Sequence, residues 1–180
     1  MSARTVLVTG ASAGIGLELS RVFAERGYRV VLVARRAERL EQLAHELRSQ
    51  GALAETLVAD LADPNAPEEM FRETQRRGID IDILVNNAGY GEEPFGATAW
   101  ADQARFLQVM LVSLCHLTHL YLPGMKQRGY GRVLNVASLA AFAPVRAGDL
   151  YAPIKTFVVR FTQAIDDELV RGEVDVRCVV

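Results

Sequence analysis

The sequence predicts an α/β fold: a doubly wound parallel sheet of about six strands with helices on both faces. Three observations carry that expectation. Short apolar runs alternate with longer stretches of helical period along the whole chain. The runs are continuously apolar, as in residues 29–34, which marks strands buried on both faces. The connections are short, and Gly27 and Gly51 stand where helices should end. At 180 residues, 50% hydrophobic and 23% charged, the chain is long enough for one domain, residues 1–180, with a substantial core.

Each element has a local reason. Residues 6–9 are an apolar run ending in glycine, the first strand. Residues 14–26 put Ile15, Leu19, Val22 and Phe23 on one helical face, and residues 29–34 form the second strand. Residues 38–50 repeat Leu40, Leu43 and Leu47 at helical spacing, followed by a third strand at 54–59. A helix over 68–77, opened by Asp63-Pro64, leads to a fourth strand at 81–86. A long helix spans 101–128 with Pro123 near its final turns, and a fifth strand follows at 132–137. The last helix covers 150–171, and residues 174–180 form a sixth strand.

Composition narrows the function classes. A net charge of -2 provides no basic field for nucleic acid. The N-terminus runs straight into a strand, and the longest apolar stretch, 107–122, is interrupted by Ser113, His116, Thr118 and His119, so it reads as a buried helix rather than a membrane span. Cys115 and Cys178 lie in apolar stretches and read as core thiols of a reducing, cytoplasmic compartment. His116 and His119 share a helical face, but no cysteine or carboxylate in the pattern completes a zinc set.

The segment Thr9-Gly-Ala-Ser-Ala-Gly-Ile-Gly16 joins the first strand to the first helix. Gly10 permits a tight turn, Gly14 lets backbone approach a pyrophosphate, and Gly16 lets helix pack closely on strand. With Ile15 they place a phosphate at a helix N-terminus. After the second strand come Arg35 and Arg36, where an acidic residue would favour NAD. Two arginines, with Ser12 beside them, instead suit the 2′-phosphate of NADP(H), although a solvated start to the next helix is the plain alternative. Asp60-Leu61 ends the third strand, with Asp60 placed either to accept from an adenine amino group or to cap the following helix. Asn86-Asn87-Ala88-Gly89 ends the fourth, and Asn87, Ala88 and Gly89 offer small and amide groups to a cofactor. Tyr151 and Lys155 lie one helical turn apart on one face, where a lysine ammonium favours a tyrosinate that is otherwise poorly matched to neutral pH.

Thr9–Gly16, Asp60, Asn86–Gly89, and Ser138 with Tyr151 and Lys155 occur in the order found in the short-chain dehydrogenase/reductase family, which the whole chain resembles. The resemblance implies a Rossmann sheet, NADP(H) as cofactor, and a small-molecule carbonyl or secondary alcohol as substrate. It implies that Ser138, Tyr151 and Lys155 are catalytic: Tyr151 donates the proton in reduction, Ser138 orients the carbonyl, and Lys155, with Tyr151, also contacts the cofactor. A homo-oligomer is expected as well, through the edge strand at residues 174–180. The mostly apolar stretch 140–150 points to an apolar substrate.

Three departures from the family pattern stand out. Met110 occupies the position where the family places an asparagine in the long helix, and a thioether cannot anchor the water of a proton relay. Pro153 lies between Tyr151 and Lys155, where a missing N–H could bend the helix. Family members continue past the sixth strand with a turn, a substrate-covering loop and helix, and a last strand. The alternative reading is therefore a catalytically impaired dinucleotide-binding fragment or paralogue. The alternation of Val174, Val176, Cys178 and Val180 with Asp175 and Arg177 also leads one to expect an uncovered apolar edge strand prone to self-association.

Overall fold

The computed structural model describes residues 3–91, 94–143, 148–172 and 175–180. Six parallel strands form one sheet in the order β3-β2-β1-β4-β5-β6. The chain builds β1 (Thr5–Thr9), α1 (Gly14–Glu25), β2 (Arg29–Ala34), α2 (Ala37–Ser49) and β3 (Ala54–Val58) outward from the centre. It then crosses back through α3 (Ala66–Arg76) to β4 (Ile83–Asn86) on the other side of β1. The carboxyl ends of β1 and β4 thus flank the point where strand order reverses, the crevice where open α/β sheets bind ligands. Register there pairs Val8 with Leu32 on one side and with Val85 on the other.

The second half repeats the pattern: α4 (Trp100–Leu107), a π-helical segment (Gln108–Val112) and α5 (Ser113–Arg128) precede β5 (Tyr130–Asn135), then α6 (Tyr151–Val170) and β6 (Asp175–Val179). Successive strand residues alternate between two cores. Val6, Val8, Val30, Leu32, Ile83 and Val85 face Leu40, Leu43 and Leu47 of α2. Leu7, Val31, Leu84 and Val133 face Met70 of α3, Leu117 and Met125 of α5, and Leu169 of α6. A third cluster (Phe106, Met110, Leu114, Ile154, Val158) joins the long helix to α6 near the site. The helical stretch Trp100–Arg128, at 29 residues, is long and apolar enough to cross a bilayer. Here Leu114, Leu117, Tyr121, Leu122 and Met125 are instead buried in these cores.

Several expectations are corrected. The helix α3 opens at Asn65, not at Asp63-Pro64: the Asp63 carboxylate accepts from the Asn65 N–H at 2.9 Å, and Pro67 occupies the first turn. β5 starts two residues earlier than the apolar run, because Tyr130 and Gly131 pair with Asp175 and Val176. Pro153 does not interrupt α6. The helix begins at Tyr151, so Pro153 is its third residue, and the first backbone bond, from the Ile154 N–H to the Leu150 carbonyl at 3.0 Å, lies beyond it. Proline in a first turn gives up an N–H that has no helical partner.

The sixth strand is also better covered than its alternation suggests; Val174 lies outside the described residues. Val176 and Cys178 are 0% and 2% exposed, within the core that includes Leu169 of α6. Asp166 of α6 accepts from Arg177 Nε and Nη2 at 2.8 and 2.7 Å and from the Cys178 N–H at 2.9 Å, which occupies one edge donor. Val179 and Val180 remain exposed. Burial pushes the Cys178 thiol up to about 12 and also raises Cys115, so both are poor thiolates at neutral pH.

Candidate active site

A cleft of about 620 Å³ runs along the carboxyl ends of the strands. Of the residues singled out from sequence, Gly10, Ser12, Gly14, Ile15, Arg35, Arg36, Asp60, Leu61, Asn87, Ala88, Gly89, Tyr151 and Lys155 line it. Gly16 stands behind that wall. A side chain on Gly16 would collide with the Asn87 amide and the Gly10 carbonyl, and one on Gly10 (φ 70°) would come within 2.9 Å of Ala88 Cα. These two glycines allow the first turn and the β4 end to touch. Thr9 fastens the contact: its hydroxyl donates to the Val85 carbonyl at 3.1 Å and accepts from the Asn87 and Ala88 N–H groups at 3.0 Å. Its carbonyl takes the Asn87 side-chain amide at 2.9 Å. Asn86, one residue earlier, points the other way and is buried under the sheet end.

At the far end of the cleft, Arg36 donates through Nη2 and Nε to Ser12 Oγ at 2.9 and 3.3 Å. Ser12 Oγ accepts there, so its own O–H remains free to donate. The Arg35 side chain is exposed and leans toward Asp60, with Nε 4.0 Å from Oδ1. Asp60 Oδ1 also accepts from the Ala62 N–H at 3.0 Å, so Asp60 both faces the cleft and closes a turn. Between the two ends, the N-terminus of α1 points its first N–H groups at the cleft with no side-chain cap and no acid in the first turn.

At the near end, Lys155 is 6% exposed, and its Nζ donates to the Val136 carbonyl at 2.7 Å. Burial holds its ammonium below the usual lysine range. Nζ lies 5.7 Å from the centre of the Tyr151 ring. The Asp149 carboxylate accepts from the Tyr151 N–H at 3.1 Å and so anchors the start of α6. Ser138 lies just beyond Ala137, which lines the cleft. Its Oγ accepts from the Ala140 N–H at 3.1 Å, which leaves the hydroxyl proton available to a ligand.

Apart from Met110, the remaining wall is not among the residues the sequence singles out. Tyr90, Gly91, Val109, Met110, Val136 and Ala137 belong to it, with Ala13, Val33, Ala34 and Ala59 between the strand ends. In the π-helical segment the Ser113 N–H reaches back to the Gln108 carbonyl, and the extra residue turns Val109 and Met110 toward the cleft. Met110 is 2% exposed and presses on Gly89, where an added side chain would come within 2.8 Å of its sulfur. No sequence period announces a π turn. The Val136 carbonyl is a backbone group, invisible in residue types.

The cleft thus has a glycine-rich turn under an uncapped helix, an arginine–serine pair at one end and a Tyr–Lys pair at the other. The family model for short chain dehydrogenases matches residues 4–180. The chain belongs to the short chain dehydrogenase family. It is 36% identical, over 166 residues, to an NADP-dependent 3-hydroxy acid dehydrogenase of Escherichia coli (strain K12), covering 91% of this chain and 66% of the relative. It is also 36% identical, over 168 residues, to a serine 3-dehydrogenase of Agrobacterium fabrum (strain C58), covering 92% of this chain and 66% of that one. Among solved structures, a short-chain dehydrogenase from Sphingobium yanoikuyae in complex with NADPH matches with a TM-score of 0.88 and 34% identity, covering 96% of this chain and 69% of the other. The chain thus spans 66% of the length of the curated relatives it matches.

Proposed function

We propose that the chain is an NADP(H)-dependent oxidoreductase that interconverts a carbonyl and a secondary alcohol by hydride transfer. The observation that carries this reading is one cleft with Ser12 and Arg36 at one end and Tyr151 and Lys155 at the other. The donor set suits the cofactor: the bare N-terminus of α1 suits a pyrophosphate, and Ser12, Arg35 and Arg36 suit a 2′-phosphate. Asp60, Leu61, Asn87, Ala88 and Gly89 would flank the rest of the dinucleotide. Bound NADPH would supply the hydride.

The chain's own residues handle the proton. Tyr151 donates its hydroxyl proton to the carbonyl oxygen in reduction and takes it back in oxidation. The Lys155 ammonium, fixed by Val136, favours the tyrosinate that results. Ser138 donates to the substrate oxygen as charge develops there. Val109, Met110, Ala137 and Tyr90 make the substrate end apolar, which supports an apolar substrate. We further propose a homo-oligomer, supported by the exposed face of α6, where Phe157 stacks on Phe161 at 5.7 Å.

The test is NADPH oxidation by the purified chain against a panel of ketones and aldehydes, with Tyr151→Phe as the control. The expected result is turnover with NADPH that Tyr151→Phe abolishes while cofactor affinity is retained. Turnover that survives Tyr151→Phe would assign the proton to another group.

A further inference from the structure

Beneath the cleft lies a buried polar chain that the chemistry above does not use. Asn86 of β4 and Asn135 of β5 are register partners, and both are buried. Asn86 Nδ2 donates to Thr118 Oγ1 of α5 at 3.1 Å and to Asn135 Oδ1 at 2.9 Å. Asn135 Nδ2 donates to Thr162 Oγ1 of α6 at 2.9 Å and faces Cys178 Sγ of β6 at 3.6 Å. Each threonine hydroxyl is in turn committed to its own helix, Thr118 to the Leu114 carbonyl and Thr162 to the Val158 carbonyl. Donors and acceptors therefore run in one defined order through five elements.

We propose that Asn135 and Thr162 are a positioning pair that sets α6 on β5, and so delivers Lys155 to the Val136 carbonyl and Tyr151 to the cleft. Three facts carry this. Val136, whose carbonyl receives Lys155, directly follows Asn135. Thr162 is seven residues beyond Lys155 and eleven beyond Tyr151, which puts all three on one face of α6 within about 40° of each other. Packing alone leaves a helix free to slide by small amounts on an apolar surface, whereas a hydrogen bond between two buried groups has one register, because leaving it open costs more than the bond itself returns. The proposal rests on reading Tyr151 and Lys155 as the proton-handling pair.

The test reads Lys155 directly. The chain has two lysines, Lys126 and Lys155. Lys126 of α5 is ion-paired with Glu168 of α6 at 2.8 Å, so every chain compared carries Glu168→Ala; Lys126, released from α6, then serves as the internal standard for amine acylation mapped by mass spectrometry. Thr162→Val keeps the shape and removes the acceptor; the Lys155-to-Lys126 labelling ratio should rise about fivefold, the scale of one lost buried hydrogen bond. Thr162→Ser should restore the parent ratio. Leu169→Ala, which cuts a buried α6 side chain outside the bridge, should lower Tm and leave the ratio unchanged. A parent-like ratio in Thr162→Val, or an equal rise in Leu169→Ala, overturns the proposal. Where Thr162→Val fails to fold, Thr162→Ala removes the same acceptor and the same ratio decides. Failure of the parent chain to bind NADPH would sink the reading of the site, while the labelling ratio would still decide the bridge.

Discussion

Arg35 and Arg36 are adjacent and equivalent by residue type, yet the fold gives them unequal parts. Arg36 aims two N–H groups at Ser12 Oγ, at 2.9 and 3.3 Å, on the wall of the cleft. The Arg35 side chain is 61% exposed and is shared with Asp60 at 4.0 Å. A charge-assisted hydrogen bond contributes about 1.5–3 kcal/mol, and an exposed, shared charge about 0.2–1 kcal/mol. Arg36 is itself near the surface, so the lower half of the first range applies. Arg36→Ala should therefore weaken NADPH binding by roughly tenfold or somewhat more, and Arg35→Ala by no more than about fivefold. NADH, which lacks the 2′-phosphate, should bind both variants and the parent alike. Fluorescence titration of each cofactor at low ionic strength gives the dissociation constants, and added salt should narrow the NADPH gap. A larger loss in Arg35→Ala than in Arg36→Ala would refute the assignment. So would equal losses of NADPH and NADH in Arg36→Ala, which would make Arg36 a support for the loop rather than a phosphate ligand.

Two further outcomes are expected. Met110→Asn should raise turnover if the thioether interrupts a proton relay, at a stability cost of about 1–3 kcal/mol for an amide buried against Gly89; a folded, cofactor-binding variant that is no faster would clear Met110 of that role. Asp166→Asn should lower Tm at neutral pH by loosening β6, by about 1 kcal/mol for a partly exposed pair. The Arg177 guanidinium holds the Asp166 carboxyl below its ordinary value of 3.8, so the folded state favours the carboxylate. That stability is present above pH 3.8 and is lost as pH falls through the lower folded value, so the gap between variant and parent should close in strong acid. A gap that persists there would show that the carboxylate charge contributes nothing.

What the sequence determined by itself was whatever depends on near neighbours. Continuous apolar runs of strand length, alternating with helical repeats and closed by glycines, specify a parallel sheet covered on both faces, because only that arrangement buries such runs completely. A spacing of four puts Tyr151 and Lys155 on one face of any α-helix, wherever the helix sits. Only the tertiary structure decided what depends on partners far along the chain. Asn86 and Asn87 are identical neighbours, but strand alternation sends one into the bridge to Thr118 and Asn135 and the other to Thr9 at the cleft. The acceptor for Lys155 is a backbone carbonyl on β5. Pro153 looked disruptive until the first turn of α6 was located. The sixth strand looked bare until α6 and Asp166 were seen to cover it. In each case the chemistry of the residue was legible, while its partner, often twenty to eighty positions away, was set by packing that no local pattern encodes.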